Sequence, residues 1–397
     1  MGLFTGLFGP GHSVTGGSGF WHLPHGYKTD SGAHVSEYNA LKLPVVYACI
    51  GLISDILAQP PIKVYREDRA GNREHMRGHR VETLLNLRPN ERMTAFAFRK
   101  TYVHHVLAWG NGYSEIQRRG NGTPEALWLA LPDRTYPELK PNGDLIYHST
   151  IHSRIEEFEL PDMMHVPAMG FDGVVGYSPI AVARQSVGLS MSMDEFAAKL
   201  YGNDMKSGGF IEHPGKLGEA AKRNIQDSME NQGGPQNFHR VKVLEEGAKF
   251  HQTTINPEDA QFIEGRDFQI AEICRMYRVP LHMVQSVSGS TSWGSGLTEM
   301  SMGFVRFTLS PWIEAMEQEI NWKLFTERER DQGYYVKFDV SDLLKAELAD
   351  RSSYYTAALD PQTGWLTREE VRDKEDMDPL SEEQENSFGG IETGAGV

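Results

Sequence analysis

Between about residues 178 and 278 the sequence sets a small strand–helix–strand–strand module between two long helical stretches, and few folds accommodate that order. The first stretch opens at Ser178-Pro179, a capping hydroxyl followed by the residue best tolerated at the first helical position. It runs to about Tyr201, where Gly202-Asn203 stops it. Gly208-Gly209-Phe210-Ile211 starts the module, which continues as a helix over 217–231, a Gly-Pro loop, and strands over 240–244 and 249–254. Asn256-Pro257-Glu258-Asp259 opens the second stretch with acidic residues in its first turn, and it runs to about Arg278. Two helical arms holding such an insert suit a protruding docking module better than the interior of a lone globule.

The flanking segments read as an α+β body. Ser36 announces a first helix, with Glu37 in its first turn and apolar residues at Val46, Cys49, Ile50, Ile53, Ile56 and Leu57, close to a 3.6-residue period. Pro60-Pro61 ends it, and Ile62-Lys63-Val64-Tyr65 alternates as a strand. A helix follows over about 95–109, broken by Gly110-Asn111-Gly112, then strands at 113–117, 126–131 and 145–147 joined by Gly- and Asn-rich turns. A Gly/Ser/Thr loop over 286–295 leads to the longest helical pattern, 297–328, inside which Pro311 predicts a kink or offset. A strand at 334–340 and helices at about 342–358 and 367–374 complete the body, the two helices joined by Asp360-Pro361-Gln362-Thr363-Gly364. Residues 1 to about 30, with seven glycines in the first twenty, and 381–397 read as flexible ends.

Composition excludes several classes. No apolar run approaches the ~18–20 residues of a membrane span, so a soluble protein is expected. The start, MGLFTGLFGPGHS, lacks the basic beginning and long apolar core of a signal peptide, and Gly6 stands where a myristoylation signal has Ser or Thr. The two cysteines, Cys49 and Cys274, lie in apolar helical patterns as small buried hydrophobes, which rules out a disulfide framework and fits a reducing compartment. The net charge of −15 argues against a protein that grips nucleic acid by general electrostatics.

Catalytic motifs are missing. There is no Gly-x-x-x-x-Gly-Lys-Ser/Thr phosphate loop, and Gly110-Asn111-Gly112 leads into a strand without the third glycine of a dinucleotide site. The run Gly289-Ser290-Thr291-Ser292-Trp293-Gly294 fails the spacing of a nucleophile elbow, because Ser290 stands two residues before Ser292. No His-Glu-x-x-His occurs among fifteen histidines. His22 and His25 sit in the arm beside Trp21, and His104 and His105 lie on a helix with one facing out and one in, as a satisfied core histidine does. The acidic run Glu369, Glu370, Asp373, Glu375, Asp376 and Asp378 suits a solvated helix face better than a cation site. No catalytic residue, cofactor or metal site is expected.

A series of segments in order does carry a resemblance. Ala40-Leu41-Lys42-Leu43-Pro44-Val45-Val46-Tyr47-Ala48-Cys49, Pro60-Pro61-Ile62-Lys63-Val64-Tyr65, Leu84-Leu85-Asn86-Leu87-Arg88-Pro89-Asn90 and Gly110-Asn111-Gly112-Tyr113 begin it. His165-Val166, Gly176-Tyr177-Ser178-Pro179, Gly208-Gly209 and Pro214-Gly215-Lys216-Leu217 continue it. Leu244-Glu245-Glu246-Gly247, Pro257-Glu258-Asp259-Ala260-Gln261-Phe262 and Val279-Pro280 complete it. Over about residues 36–380 the chain resembles the portal proteins of tailed bacteriophages of the Hong Kong 97 type. One departure is Gly364-Trp365-Leu366-Thr367-Arg368-Glu369, where the family usually has Pro-Asn in place of Arg368-Glu369.

The resemblance implies an α+β portal fold, assembled as a dodecameric ring around a channel for DNA at one capsid vertex. It implies an N-terminal arm at 1–35, a wing at 36–177 with a strand from 334–341, and stem helices at 178–206 and 257–280. The clip would be 207–256, the tunnel loop 281–296, the tunnel helix with its continuation 297–333, the crown 342–380 and the tail 381–397. Ser288, Gly289, Ser290, Thr291, Ser292, Trp293 and Arg306 would then face the channel, with Lys206 and Arg275 as phosphate contacts or, equally, intersubunit ion pairs. Lys222, Arg223, Gln226, Glu230, Gln236 and Asn237 would meet the packaging motor and later the tail adaptor. The implied partners are further copies of the chain, weakly held double-stranded DNA, the large terminase, a head–tail adaptor, and the major capsid and scaffold proteins, with no membrane. The implied location is the virion, after assembly in the host cytoplasm. A different virion protein, such as an adaptor or shell subunit, and a packaging NTPase or nuclease are the rival classes. Residues 342–386, the crown and the start of the tail, hold thirteen acids and five bases, so −8 of the net charge lies there, as suits a conduit that lets DNA slide.

Overall fold

The computed structural model describes residues 27–151, 154–202, 209–212, 218–219, 223, 249–252, 259–284, 295–341, 343 and 348–374. The first described segment is a hairpin, β1 (Tyr27–Lys28) with β2 (His34–Val35), inside the stretch read as an arm. It is fixed because Gly32 supplies a left-handed turn at φ +89° and the Thr29 hydroxyl donates to the Ala33 carbonyl at 2.9 Å. Val35 is then buried, and Thr29 packs against Gly188.

Ser36 caps α1 (Glu37–Ala40): its hydroxyl accepts from the Asn39 N–H, and the Asn39 side chain accepts from the Ser36 N–H. The single helix expected from Ser36 onward is in fact two. The chain breaks at 41–43, and Pro44, which has no N–H to continue the ladder, opens α2 (Pro44–Ala58) instead. Val46, Cys49, Ile50, Ile53 and Leu57 form the buried stripe of α2, each large side chain contributing ~1.5–3 kcal/mol.

Next come β3 (Ile62–Glu67), β4 (Arg73–His75), α3 (Arg80–Asn86) and α4 (Ala95–Trp109). The last spans the expected residues, capped by Thr94 and ended by Gly110 at φ +80°. His105 faces in as expected, but His104 is half-buried rather than exposed. The buried His105 Nδ1 has no hydrogen-bond partner among the described residues, so it is not the satisfied core histidine the sequence suggested. There follow β5 (Asn111–Arg118), β6 (Pro124–Ala130), β7 (Thr135–Leu139), β8 (Leu145–Ile151), β9 (Arg154–Glu159) and β10 (Met163–Pro167). Antiparallel sheets run in the orders β10-β5-β6 and β7-β8-β9.

The helix expected from Ser178 starts there but breaks at Ala183 into α5 (Pro179–Val182) and α6 (Arg184–Gly202). Strands β11 (Gly209–Glu212) and β12 (Lys249–Gln252) pair antiparallel, and α7 (Asp259–Tyr277) returns. Of the helix expected at 217–231 only Gly218, Glu219 and Arg223 are described, and the strand expected at 240–244 lies outside the described residues.

The long helical pattern resolves into α8 (Ser295–Phe304), a π-helical turn (Val305–Leu309) and α9 (Ser310–Lys323). Pro311 cannot donate to a carbonyl one turn back, and the wide turn immediately before it absorbs the missing bond, which is the offset the sequence predicts. The helix ends at Lys323 rather than at Arg328, because Thr326 and Glu329 form a capping box that starts α10 (Glu327–Asp331). Strand β13 (Tyr334–Phe338) pairs with β3 in the sheet β13-β3-β4, so the chain returns to its N-terminal body. Helices α11 (Leu348–Ala358) and α12 (Arg368–Lys374) follow, the intervening turn held by Asp360, whose Oδ1 accepts from the Gln362 and Thr363 N–H groups.

One hydrophobic core joins these pieces. Ile50 and Cys49 of α2, Val106 of α4, Ile273, Cys274 and Tyr277 of α7, and Ile313 and Ile320 of α9 belong to one buried cluster. The C-terminal end of α7 is therefore rooted in the N-terminal body, while its other end and the matching end of α6 carry the small strand pair.

Candidate channel and assembly surfaces

The two helical arms face each other side by side. Ser186 on α6 donates to Gln269 on α7 at 3.0 Å, and Asp194 pairs with Arg266 at 2.8 Å, so residue numbers run in opposite directions along the pair. Gly265 lies against Met193, where an added Cβ would stand only 3.1 Å from the Met193 methyl. Polar pairs and a close backbone approach on one side leave other faces uncovered. Phe196 and Phe268 are exposed there.

At the root of α7 the helix ends in Arg278, the one non-glycine residue with positive φ among the described residues, at 55°. The Thr308 hydroxyl in the π turn donates to the Arg278 carbonyl at 2.8 Å, tying the end of α7 to the turn. This bond places two sequence-predicted residues on adjoining elements. Arg275 is exposed on the last turn of α7 and pairs with Glu272 one turn earlier, so part of its charge is already neutralised within the chain. Arg306 is exposed on the π turn with its guanidinium 5.6 Å from the centre of the Phe307 ring. Of the remaining predicted residues, Arg223 is exposed. Lys206, Ser288, Gly289, Ser290, Thr291, Ser292, Trp293, Lys222, Gln226, Glu230, Gln236 and Asn237 lie outside the described residues, as do His22 and His25.

Sequence reasoning missed an apolar groove of about 490 Å³ beside this junction. Met169, Tyr177, Val182, Met276, Trp312 and Ala315 are among its walls. Met169 is 81% exposed, neighbouring Phe171 85% and Val182 60%, an unusual density of uncovered apolar surface for one small region. The available signal was Met169-Gly170-Phe171, two large apolar residues in a glycine-rich loop where polar residues are usual.

Among the described residues no helix is long and apolar enough to cross a membrane, and no group of three or more His, Cys, Asp or Glu side chains is placed to hold a metal ion.

The family model for phage portal proteins matches residues 44–376, most of the chain. The chain belongs to the phage portal protein family. It is similar to the probable portal protein of Streptomyces phage phiC31, with 30% identity over 406 residues, covering 96% of this chain and 86% of the relative. The portal protein of Enterobacteria phage HK97 is 29% identical over 358 residues, covering 90% of this chain and 83% of that one. Among solved structures, a chain in the neck of an empty gene transfer agent (GTA) particle aligns with TM-score 0.61 at 22% identity, covering 89% of this chain and 98% of that chain. An HK97-family phage portal protein from Corynebacterium diphtheriae aligns with TM-score 0.57 at 16% identity, covering 79% and 99%. The resemblance to Hong Kong 97-type portals and the α+β portal fold read from the sequence are thus borne out, and so is the function: this is a phage portal protein. Portal proteins are structural components of phage-like particles rather than enzymes.

Proposed function

We propose that this portal chain closes into a ring of twelve copies, the symmetry applied to the neck of a native GTA particle that shares its fold. The observation that supports the reading is the uncovered apolar surface at Met169, Phe171, Val182, Phe196 and Phe268, on the loop and helices that a ring neighbour would cover. Burying such surface returns about 25 cal/mol for each Å² removed from water. A repeated contact between unlike faces of identical subunits closes into a ring when the rotation between them divides the circle.

In this reading α6 and α7 are the stem and 207–256 the clip. The clip docks the large terminase during packaging and a head–tail adaptor afterwards, through Lys222, Arg223, Gln226, Glu230, Gln236 and Asn237. The loop 281–296, with Ser288, Gly289, Ser290, Thr291, Ser292 and Trp293, faces the channel together with Arg306. Lys206 and Arg275 make scattered phosphate contacts, weak because each is isolated and Arg275 already has an acidic partner. Residues 342–380 form an acidic crown toward packed DNA. The ring sits at a capsid vertex, assembled in the host cytoplasm with major capsid and scaffold proteins, and it hydrolyses neither nucleotides nor nucleic acid.

Mass photometry and negative-stain imaging of the purified full-length protein test this. Rings with a central hole and a mass near twelve subunits are expected. Curved sheets would instead mark a shell subunit, and a monomer at every concentration would overturn the ring.

A further inference from the structure

The chain has two cysteines, 225 residues apart in sequence, and the fold sets them face to face. Cys49 lies in the middle of the buried stripe of α2 and Cys274 one turn before the end of α7. Their Sγ atoms are 3.9 Å apart, both residues are buried, and both thiols are free. Ile50, Ile53, Ile273 and Tyr277 belong to the same cluster, so the pair is held in a packed site and not on a mobile surface. A buried free cysteine packs as a small hydrophobe, and here two of them meet sulfur to sulfur.

We infer that Cys49 and Cys274 form an oxidation site, at which a peroxide converts the two thiols into a disulfide that fastens α7 to α2. One thiolate attacks the peroxide oxygen, forming a sulfenic acid and releasing water. The second thiol then attacks that sulfur, forms the S–S bond and releases another water. Two thiols are oxidised by two electrons and one peroxide is reduced to two waters, so the balance closes. The sulfur atoms must approach by about 2 Å to reach disulfide length, a displacement that side-chain rotation and a small slide of one helix can share.

The consequence is mechanical. The described residues of α7 pack along α2 and α6, and its rooted end is the fulcrum about which the distal strand pair could swing. A covalent tie at Cys274 fixes that fulcrum to the central helix of the body. The reducing environment of a cell keeps the pair as thiols, and exposure to oxidant outside it closes the tie. This inference stands on the two thiols alone and does not depend on the number of copies in a ring.

The test uses the full-length protein in two preparations: purified under reductant and then treated with hydrogen peroxide, and expressed in a host with an oxidising cytoplasm. Remaining thiols are alkylated after denaturation and counted by intact mass. The expected result is no alkylation, a mass lower by two hydrogens, and one peptide pair linking Cys49 to Cys274, with both thiols restored by dithiothreitol. The Cys49→Ser variant should fold with an unchanged circular dichroism spectrum, leave Cys274 alkylatable and lose the rise of several degrees in melting temperature that oxidation gives the parent. Two alkylated thiols in both oxidised preparations, or linkage only between separate chains, would overturn the inference.

Discussion

The Lys323 ammonium lies 2.6 Å from the Glu319 carboxylate, one turn away on α9, with both side chains almost wholly enclosed. The pair also reaches across to β10. Glu319 accepts from the His165 N–H at 2.7 Å, and Lys323 donates to the Met163 carbonyl at 2.6 Å. Burial pushes the Glu319 carboxyl up and the Lys323 ammonium down, each against the attraction of its partner. The ion pair is therefore a clamp between a helix from the last third of the chain and a strand from the first half.

Removing one member leaves the other charged and enclosed. Glu319→Gln keeps a carbonyl for the His165 N–H yet strands the ammonium, and a loss of about 3–5 kcal/mol is expected from urea unfolding. The double variant Glu319→Gln/Lys323→Met should lose clearly less than the single one, since no buried charge remains. If the single and double variants are equally destabilised, the clamp acts through shape rather than charge.

Acid should loosen the fold through its buried histidines. Burial first, and the nearby Lys323 second, lower His165 to about 3. Burial, with His104 adding repulsion, lowers His105 to about 4. Both folded values lie below the unfolded value of about 6.5, so the neutral forms are favoured in the fold. Stability is fully present above about pH 6.5 and falls by about 1.4 kcal/mol per pH unit for each histidine as pH drops. The decline from His105 stops near 4 and that from His165 near 3. Urea midpoints between pH 7.5 and 5 measure the slope. His165→Gln should reduce it by about one proton, and an unchanged slope would assign the acid sensitivity elsewhere.

Much of the body was legible because its signals are local. Gly110 ends α4 and Pro311 marks where a helix must restart, whereas the restart at Pro44 was not read, because the apolar period runs on from Val46 and hides the break before it. The strands β9 and β10 were not read, for opposite reasons. Arg-Ile-Glu-Glu-Phe-Glu is largely exposed and too charged to look like a strand, whereas Met-Met-His-Val-Pro is buried on successive residues and shows no alternation. The apolar groove and the Cys49–Cys274 contact depend on which distant segments meet, and neither has a periodic signature.

Gly110 is a position that no other residue fills. Its φ of +80° is left-handed, and an added Cβ would run into the Tyr177 carbonyl and the Ser178 nitrogen. Its own carbonyl accepts from the Ala168 N–H at 2.8 Å, so the segment cannot simply move away. Gly110→Ala should lower stability by at least about 1–3 kcal/mol, visible as a fall in melting temperature. A variant that melts with the parent would show that the loop at 176–178 yields freely.

Charge placed on the uncovered apolar surface should block assembly while sparing the fold. Val182 and Phe268 are exposed within one chain, so Val182→Glu and Phe268→Glu should leave the melting temperature of the monomer within about 1 °C, as surface changes do. In the ring each would bury an unpaired carboxylate at every interface. The expected outcome by mass photometry is loss of the ring species at concentrations where the parent is fully assembled. Intact rings from both variants would move the interface to other faces.

The acidity of the chain predicts how the assembled ring treats DNA. A net charge of −15 per subunit opposes the counterion release that drives binding, and Arg275 is held by Glu272. Arg306, exposed beside Phe307, is the channel contact proposed above. Purified rings should therefore bind short duplex DNA only weakly at physiological salt, measured by fluorescence anisotropy. Arg306→Ala should weaken that residual binding further and flatten its salt dependence, because each phosphate contact contributes roughly one unit of slope. Tight binding at physiological salt would contradict a conduit through which DNA slides.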